Sequence, residues 1–122
     1  MNHATKAFAS TFGAIMAVAG LEHGIGEILQ GNSVPSGIMI LSWPKSAFFH
    51  NLAGEPAMTL LPHLLLTGIL AVIVSLALLL WSILFVHRKN GGAIMIALSI
   101  VMLLVGGGIF PPIFGILIGA VA

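Results

Sequence analysis

The sequence predicts an all-α membrane protein, a small helical bundle of three transmembrane helices plus a short or re-entrant fourth segment after a Gly/Pro break. Three observations predict it. Of the 122 residues, 59% are hydrophobic and 6% are charged, against roughly 25% charge in soluble domains. Two stretches, Leu64 to Val86 and Gly91 to Ala122, carry no charged residue, and each reaches the ~20 apolar residues that a spanning helix needs. The length suits a single transmembrane domain over residues 1–122.

Helix 1 is expected over about residues 8–30, preceded by Lys6 and closed by the turn-forming run Gln30-Gly31-Asn32-Ser33. Lys6, the apolar run from Phe8 and the triplet Ala17-Val18-Ala19 together imitate a secretory signal with an A-x-A cleavage site. The small residues continue past the triplet in a pattern that cleavage does not require, and the segment is read as an uncleaved span. Residues 31–57 form the only long polar-leaning connection, with a short interfacial helix expected over 46–53. Trp43, Phe48 and Phe49 would sit there at headgroup level, where aromatic rings are favoured.

Helix 2 is expected over about residues 59–86, with Pro62 in its first turn, where a missing N–H does little harm. A tight turn follows at His87-Arg88-Lys89-Asn90-Gly91-Gly92. Helix 3 is expected over about 92–106, then a break or kink at 106–112 through Gly106-Gly107-Gly108 and Pro111-Pro112. The last piece, about 112–122, rises only about 15 Å as a helix, half a bilayer. Irregular backbone at membrane depth is tolerated only against protein or a water-filled cavity, which makes the break a second functional candidate beside the charged residues; the plainer reading is an interhelical turn near the surface. Gly115 and Gly119 form a G-x-x-x-G pair of the kind that joins helices.

Charge placement gives an orientation. Lys6 and Arg88-Lys89 mark the ends expected on the cytoplasmic side, with the 31–57 connection and its single Lys45 opposite. No basic cluster exceeds Arg88-Lys89 and the formal net charge is +1, so nucleic-acid partners are not expected. There is no cysteine, which removes disulfides, thiolate metal sites and covalent haem attachment. No nucleophile elbow, zincin or nucleotide-binding motif is present, so the chain reads as a non-enzyme.

The functional candidates lie in helix 1. An ionisable side chain in hydrocarbon costs about 3 kcal/mol or more unless it is paired, hydrated or turned into protein, and Glu22, His23 and Glu27 all fall in this first apolar stretch. Gly13, Ala17, Gly20, Gly24, Glu27 and Gly31 recur with heptad-like spacing, a seam that lets a second helix approach closely. Glu27 lies on that seam and His23 projects on nearly the same side, whereas Glu22 is about 140° away from Glu27 and needs another partner surface or a water path. Thr67, Ala71, Ser75 and Ser82 form a matching small stripe on helix 2. Depth counting at 1.5 Å per residue puts His63 level with Glu27 and Thr67 level with His23. The expected site is therefore Glu22, His23, Glu27, His63 and Thr67. His3, His50 and His87 are read as surface residues and Glu55 as a helix-start or loop charge.

Three functions fit such a site. Carboxylates and imidazoles can relay protons or hold cations, which suits a proton- or cation-linked transporter or channel for a small solute or ion. Alternatively the chain is a structural or accessory subunit whose glutamates pair with a partner. Thirdly, His23, Glu27 and His63 are candidate metal ligands, and a His23–His63 pair is a candidate haem ligand set. A bundle this small lines little cavity alone, so beyond the lipid bilayer a homo-oligomer or membrane partner subunits are expected.

Overall fold

The computed structural model describes residues 1–122 as four helices with one small hairpin between the first two. Helix α1 spans His3–Leu29. It starts earlier than the apolar run suggests because the Asn2 side chain accepts a hydrogen bond from the Thr5 backbone N–H at 2.8 Å, capping an otherwise open first turn. At 27 residues it is about 40 Å long.

The 31–57 connection folds back on α1. Strands β1 (Met39–Leu41) and β2 (Pro56–Met58) pair antiparallel, Ile40 opposite Ala57. The pairing continues beyond the strands, Ser42 N–H donating to Glu55 O at 3.0 Å and Trp43 N–H to Gly54 O at 2.9 Å. The helix expected over 46–53 is reduced to one 3-10 turn, His50–Leu52, because the hairpin draws in the residues on both sides of it. Gln30 Nε2 ties the hairpin to the end of α1 by donating to Leu41 O at 2.8 Å and Ser42 O at 2.9 Å.

Helix α2 covers Leu64–Leu80 and continues as a π-helical turn through Trp81–Phe85. It begins later than predicted, with Pro62 outside it. Residues up to Thr59 are held by the hairpin, Thr59 N–H donating to Ile38 O at 2.9 Å and Leu60 N–H to Leu104 O at 2.9 Å, so the chain turns helical only after His63. Helix α3 is Gly91–Leu104 and helix α4 is Phe110–Val121. The predicted break is a turn between them, with Pro111 and Pro112 absorbed in the first turn of α4, where their missing donors cost little.

Contacts along the bundle fix its directions. Gly13 faces Ser82 and Met95, Gly20 faces Ser75 and Met102, and Gly24 lies against Gly68, so α1 runs antiparallel to α2 and parallel to α3. Gly115 faces Ser99, and Gly119 lies against Gly92, so α4 returns antiparallel along α3. The Gly115/Gly119 pair is thus occupied within the chain. Seam and stripe meet as a close-packed interface except at Gly31, which lies past the end of α1 where an added Cβ meets nothing within 4 Å. Ala9, Ala17, Leu78, Val86, Met95, Met102 and Ile118 form the apolar core of the bundle. Two helices, His3–Leu29 and Leu64–Phe85, are long and apolar enough to cross a membrane, and α3 and α4 are shorter apolar helices.

A polar cluster under a glycine turn as the candidate functional site

All three acidic residues of the chain, Glu22, Glu27 and Glu55, converge on one end of the bundle. His23 is the centre of the arrangement. It is buried on α1, and the hairpin grips its ring from both sides: Nδ1 lies 2.7 Å from Ser42 Oγ, and Nε2 lies 3.1 Å from Glu55 Oε2. The backbone bond between Ser42 and Glu55 sets this spacing. Because a serine hydroxyl can donate or accept, it serves either tautomer of the ring. Glu55 Oε2, an acceptor when ionised, requires a proton or a cation between itself and Nε2.

Reaching His23 costs Glu55 its backbone comfort. Ala53, Gly54 and Glu55 all have positive φ, at 54°, 73° and 57°, a region that side-chain-bearing residues occupy at a cost of about 1–3 kcal/mol each. Burial raises the Glu55 carboxyl above the ordinary glutamate range. Glu22 completes the group. One donor atom from each of Glu22, His23 and Glu55 lies within 4.8 Å of the others. The Trp43 indole N–H donates to the Glu22 carbonyl at 3.2 Å and anchors the hairpin there, while Glu22 Oε1 is buried with no hydrogen-bond partner. A cavity of about 250 Å³ opens beside the three, walled on its far side by Ile109, Phe110 and Pro111.

Glu27 lies one turn further along α1, fully buried, and neither carboxylate oxygen has a hydrogen-bond partner. Thr67 is beside it, but its hydroxyl is engaged with Thr59 Oγ1 at 2.8 Å. The Gly106-Gly107-Gly108 turn closes over both residues. Gly106 and Gly108 have φ of 90° and 91°. A Cβ on Gly108 would stand 2.7 Å from His23 Nε2, and one on Gly106 would run into the Glu27 carboxylate and the Thr67 methyl. Both left-handed backbone and lack of space therefore demand glycine.

The structure thus brings together Glu22 and His23, with Glu27 and Thr67 adjoining them. His63 is not part of the cluster. It caps α2 in an extended conformation and is exposed, because the late start of α2 leaves Thr67, one turn on, beside Glu27. The metal trio His23, Glu27 and His63 is not assembled, and both ring nitrogens of His23 are engaged by Ser42 and Glu55 rather than paired with His63 for haem. Sequence reasoning missed Ser42 and Glu55 as members of the site. The signal for Glu55 was its rarity, as the only acidic residue outside α1 in an almost uncharged chain. His3, His50 and His87 are exposed. Comparison with protein-family models, with curated proteins and with solved structures gives no match to this chain.

Proposed function

We propose that this chain is a multi-pass integral membrane protein that moves a proton or cation, linked to a small solute or ion, through the polar end of its bundle. The observation that carries the reading is Glu27, a carboxylate buried among α1, α2 and the glycine turn without a single donor. Such a group is expensive unless a proton or a cation compensates it. Small hydroxyls such as Ser82 and Ser99 are also buried without a partner and serve close packing at little cost. An unpartnered carboxylate costs far more, which supports a role in holding a proton or cation.

The membrane setting is supported by an inverted distribution of polarity. Ile15, Val18, Ile73, Leu76, Ile100 and Leu117 face outward, whereas Thr67, Ser75, Ser82, Ser99 and Glu27 are buried. Water favours the opposite arrangement, and lipid favours this one. Lys6, Arg88 and Lys89 fall at the same end of the antiparallel helices, which supports placing the N-terminus and the 87–90 turn in the cytoplasm and the hairpin, with the polar cluster, on the opposite side. A complete pathway across the bilayer calls for a homo-oligomer or a membrane partner subunit, since four closely packed helices enclose little space of their own.

The test is flux in liposomes containing the purified chain under an imposed pH or cation gradient. Wild type is expected to dissipate the gradient, and Glu27→Gln, which keeps shape and removes the exchangeable charge, is expected to abolish the flux. Unaltered flux in both Glu27→Gln and Glu22→Gln would refute the proposal.

A further inference from the structure

We propose that Glu22, His23 and Glu55 form a binding site for a divalent transition-metal ion of the zinc type. The inference goes beyond the transport reading and does not depend on it. Its first support is geometric. In a tetrahedral site with bonds of about 2.0 Å, two ligand atoms stand about 3.3 Å apart, and His23 Nε2 and Glu55 Oε2 are 3.1 Å apart. The donor atoms of all three residues lie within 4.8 Å of one another, so closure of about 1.5 Å by carboxylate rotation completes a tetrahedral face.

The support around the donors is that of a ligand shell. Ser42 Oγ holds Nδ1 of His23 at 2.7 Å, the outer contact that fixes a metal-bound imidazole and turns its other nitrogen to the ion. Hairpin pairing fixes Ser42 and Glu55 relative to each other, and the Trp43 indole holds the backbone of Glu22.

Charge points the same way. His23 with Glu55 is the only close contact between a basic and an acidic side chain, and a neutral imidazole leaves the carboxylate charge in place. No lysine or arginine pairs with Glu22 or Glu55, and two carboxylates match one divalent ion. The Glu22 Oε1 atom is buried and unpartnered, and Glu27, wholly buried with both oxygens unpartnered, lies one turn away on the His23 side of α1. The adjoining cavity of about 250 Å³ has room for a water or exogenous ligand in the fourth position. One imidazole and two carboxylates suit zinc and its first-row neighbours. Calcium and magnesium prefer oxygen alone, and copper(I) prefers sulfur.

The experiment uses the full chain purified in detergent, stripped with a chelator and titrated with Zn2+ alone. Calorimetry is expected to show one Zn2+ per chain, and 15N spectra are expected to show the His23 Nε2 resonance moving on addition while those of His3, His50, His63 and His87 stay in place. Glu55→Gln and Glu22→Gln, which preserve shape, are expected to weaken zinc binding about tenfold or more, with Ser42→Ala in the same direction and His50→Ala without effect. The site is overturned if wild type binds no zinc, if the His23 resonance is unmoved, or if both glutamine variants, folded by circular dichroism, bind as wild type does. Zinc binding without gradient dissipation keeps the site and removes the transport function, and flux without zinc binding does the reverse.

Discussion

The two ends of the bundle share an apolar exterior and differ in what they turn inward. At the end holding the 87–90 turn, every charged side chain, Lys6, Arg88 and Lys89, is exposed, and the nearest buried polar residue is Ser82, a small hydroxyl that lets Gly13 approach. At the hairpin end the basic residue, Lys45, points out, while all three glutamates and His23 point in or half in. Small hydroxyls suffice for close helix packing in lipid. Carboxylates and imidazole are not needed for it, and their concentration at one end is what the proposed function rests on.

The largest expected break in this contrast comes from the glycine turn. Gly108→Ala and Gly106→Ala each add left-handed strain of about 1–3 kcal/mol and overpacking of about 1–3 kcal/mol, so unfolding followed by circular dichroism should show losses of about 2–6 kcal/mol. Gly37→Ala, where an added Cβ meets nothing within 4 Å, should stay within about 0.5 kcal/mol. Equal effects at Gly37 and Gly108 would show that the turn is not packed over His23.

Trp43→Ala comes next. Its indole lies against Gly26, bonds to the Glu22 carbonyl and stacks on Phe49 at 5.1 Å, so its loss should cost about 2–3 kcal/mol and speed amide exchange at Ser42 and Trp43. Retained protection there would mean that the hairpin is held by its backbone alone. At the mid-bundle and far-end hydroxyls the expectation reverses. Ser82 and Ser99 have buried, unpartnered Oγ atoms, so Ser82→Ala and Ser99→Ala should be neutral or slightly stabilising, within about 1 kcal/mol. A larger loss would give those hydroxyls a partner and weaken the contrast between the ends.

The smallest effect is a pH dependence of the metal-free chain. Burial raises Glu55 above its unfolded value, so between the two values the folded state binds more protons, and this group's contribution to stability falls as pH rises. The groups facing Glu55 are His23 and Glu22. Relative to wild type, Glu55→Gln should gain stability as pH rises through that window, and a difference moving the other way would show that the His23 pairing outweighs desolvation.

Much of the fold was legible because its signals are local. The glycine, alanine and serine spacing of α1 and α2 gave the seam that the structure packs, and the uncharged runs gave the helices. The site was legible only as far as α1 carried it. Glu22, His23 and Glu27 stood out as ions in an apolar stretch, but the partners of His23 come from a hairpin whose three-residue strands leave no clear alternation to read, and whose left-handed run at 53–55 includes two residues other than glycine. Depth counting from a helix start near residue 59 favours His63. Pairing of Thr59 and Leu60 with neighbouring segments delays that start, and this depends on long-range contacts. The glycine run looked like a kink because Gly-Pro patterns punctuate backbone whatever they pack against. Its role as a cover over His23 and Glu27 exists only in three dimensions.

The proposed function requires the hairpin end to carry the moving charge and the far end only to pack. Gradient dissipation in liposomes, compared between Glu27→Gln and Ser82→Ala at equal reconstitution, tests it most directly. Flux is expected to be lost in Glu27→Gln and retained in Ser82→Ala. Retention in both, or equal loss in both, would contradict it.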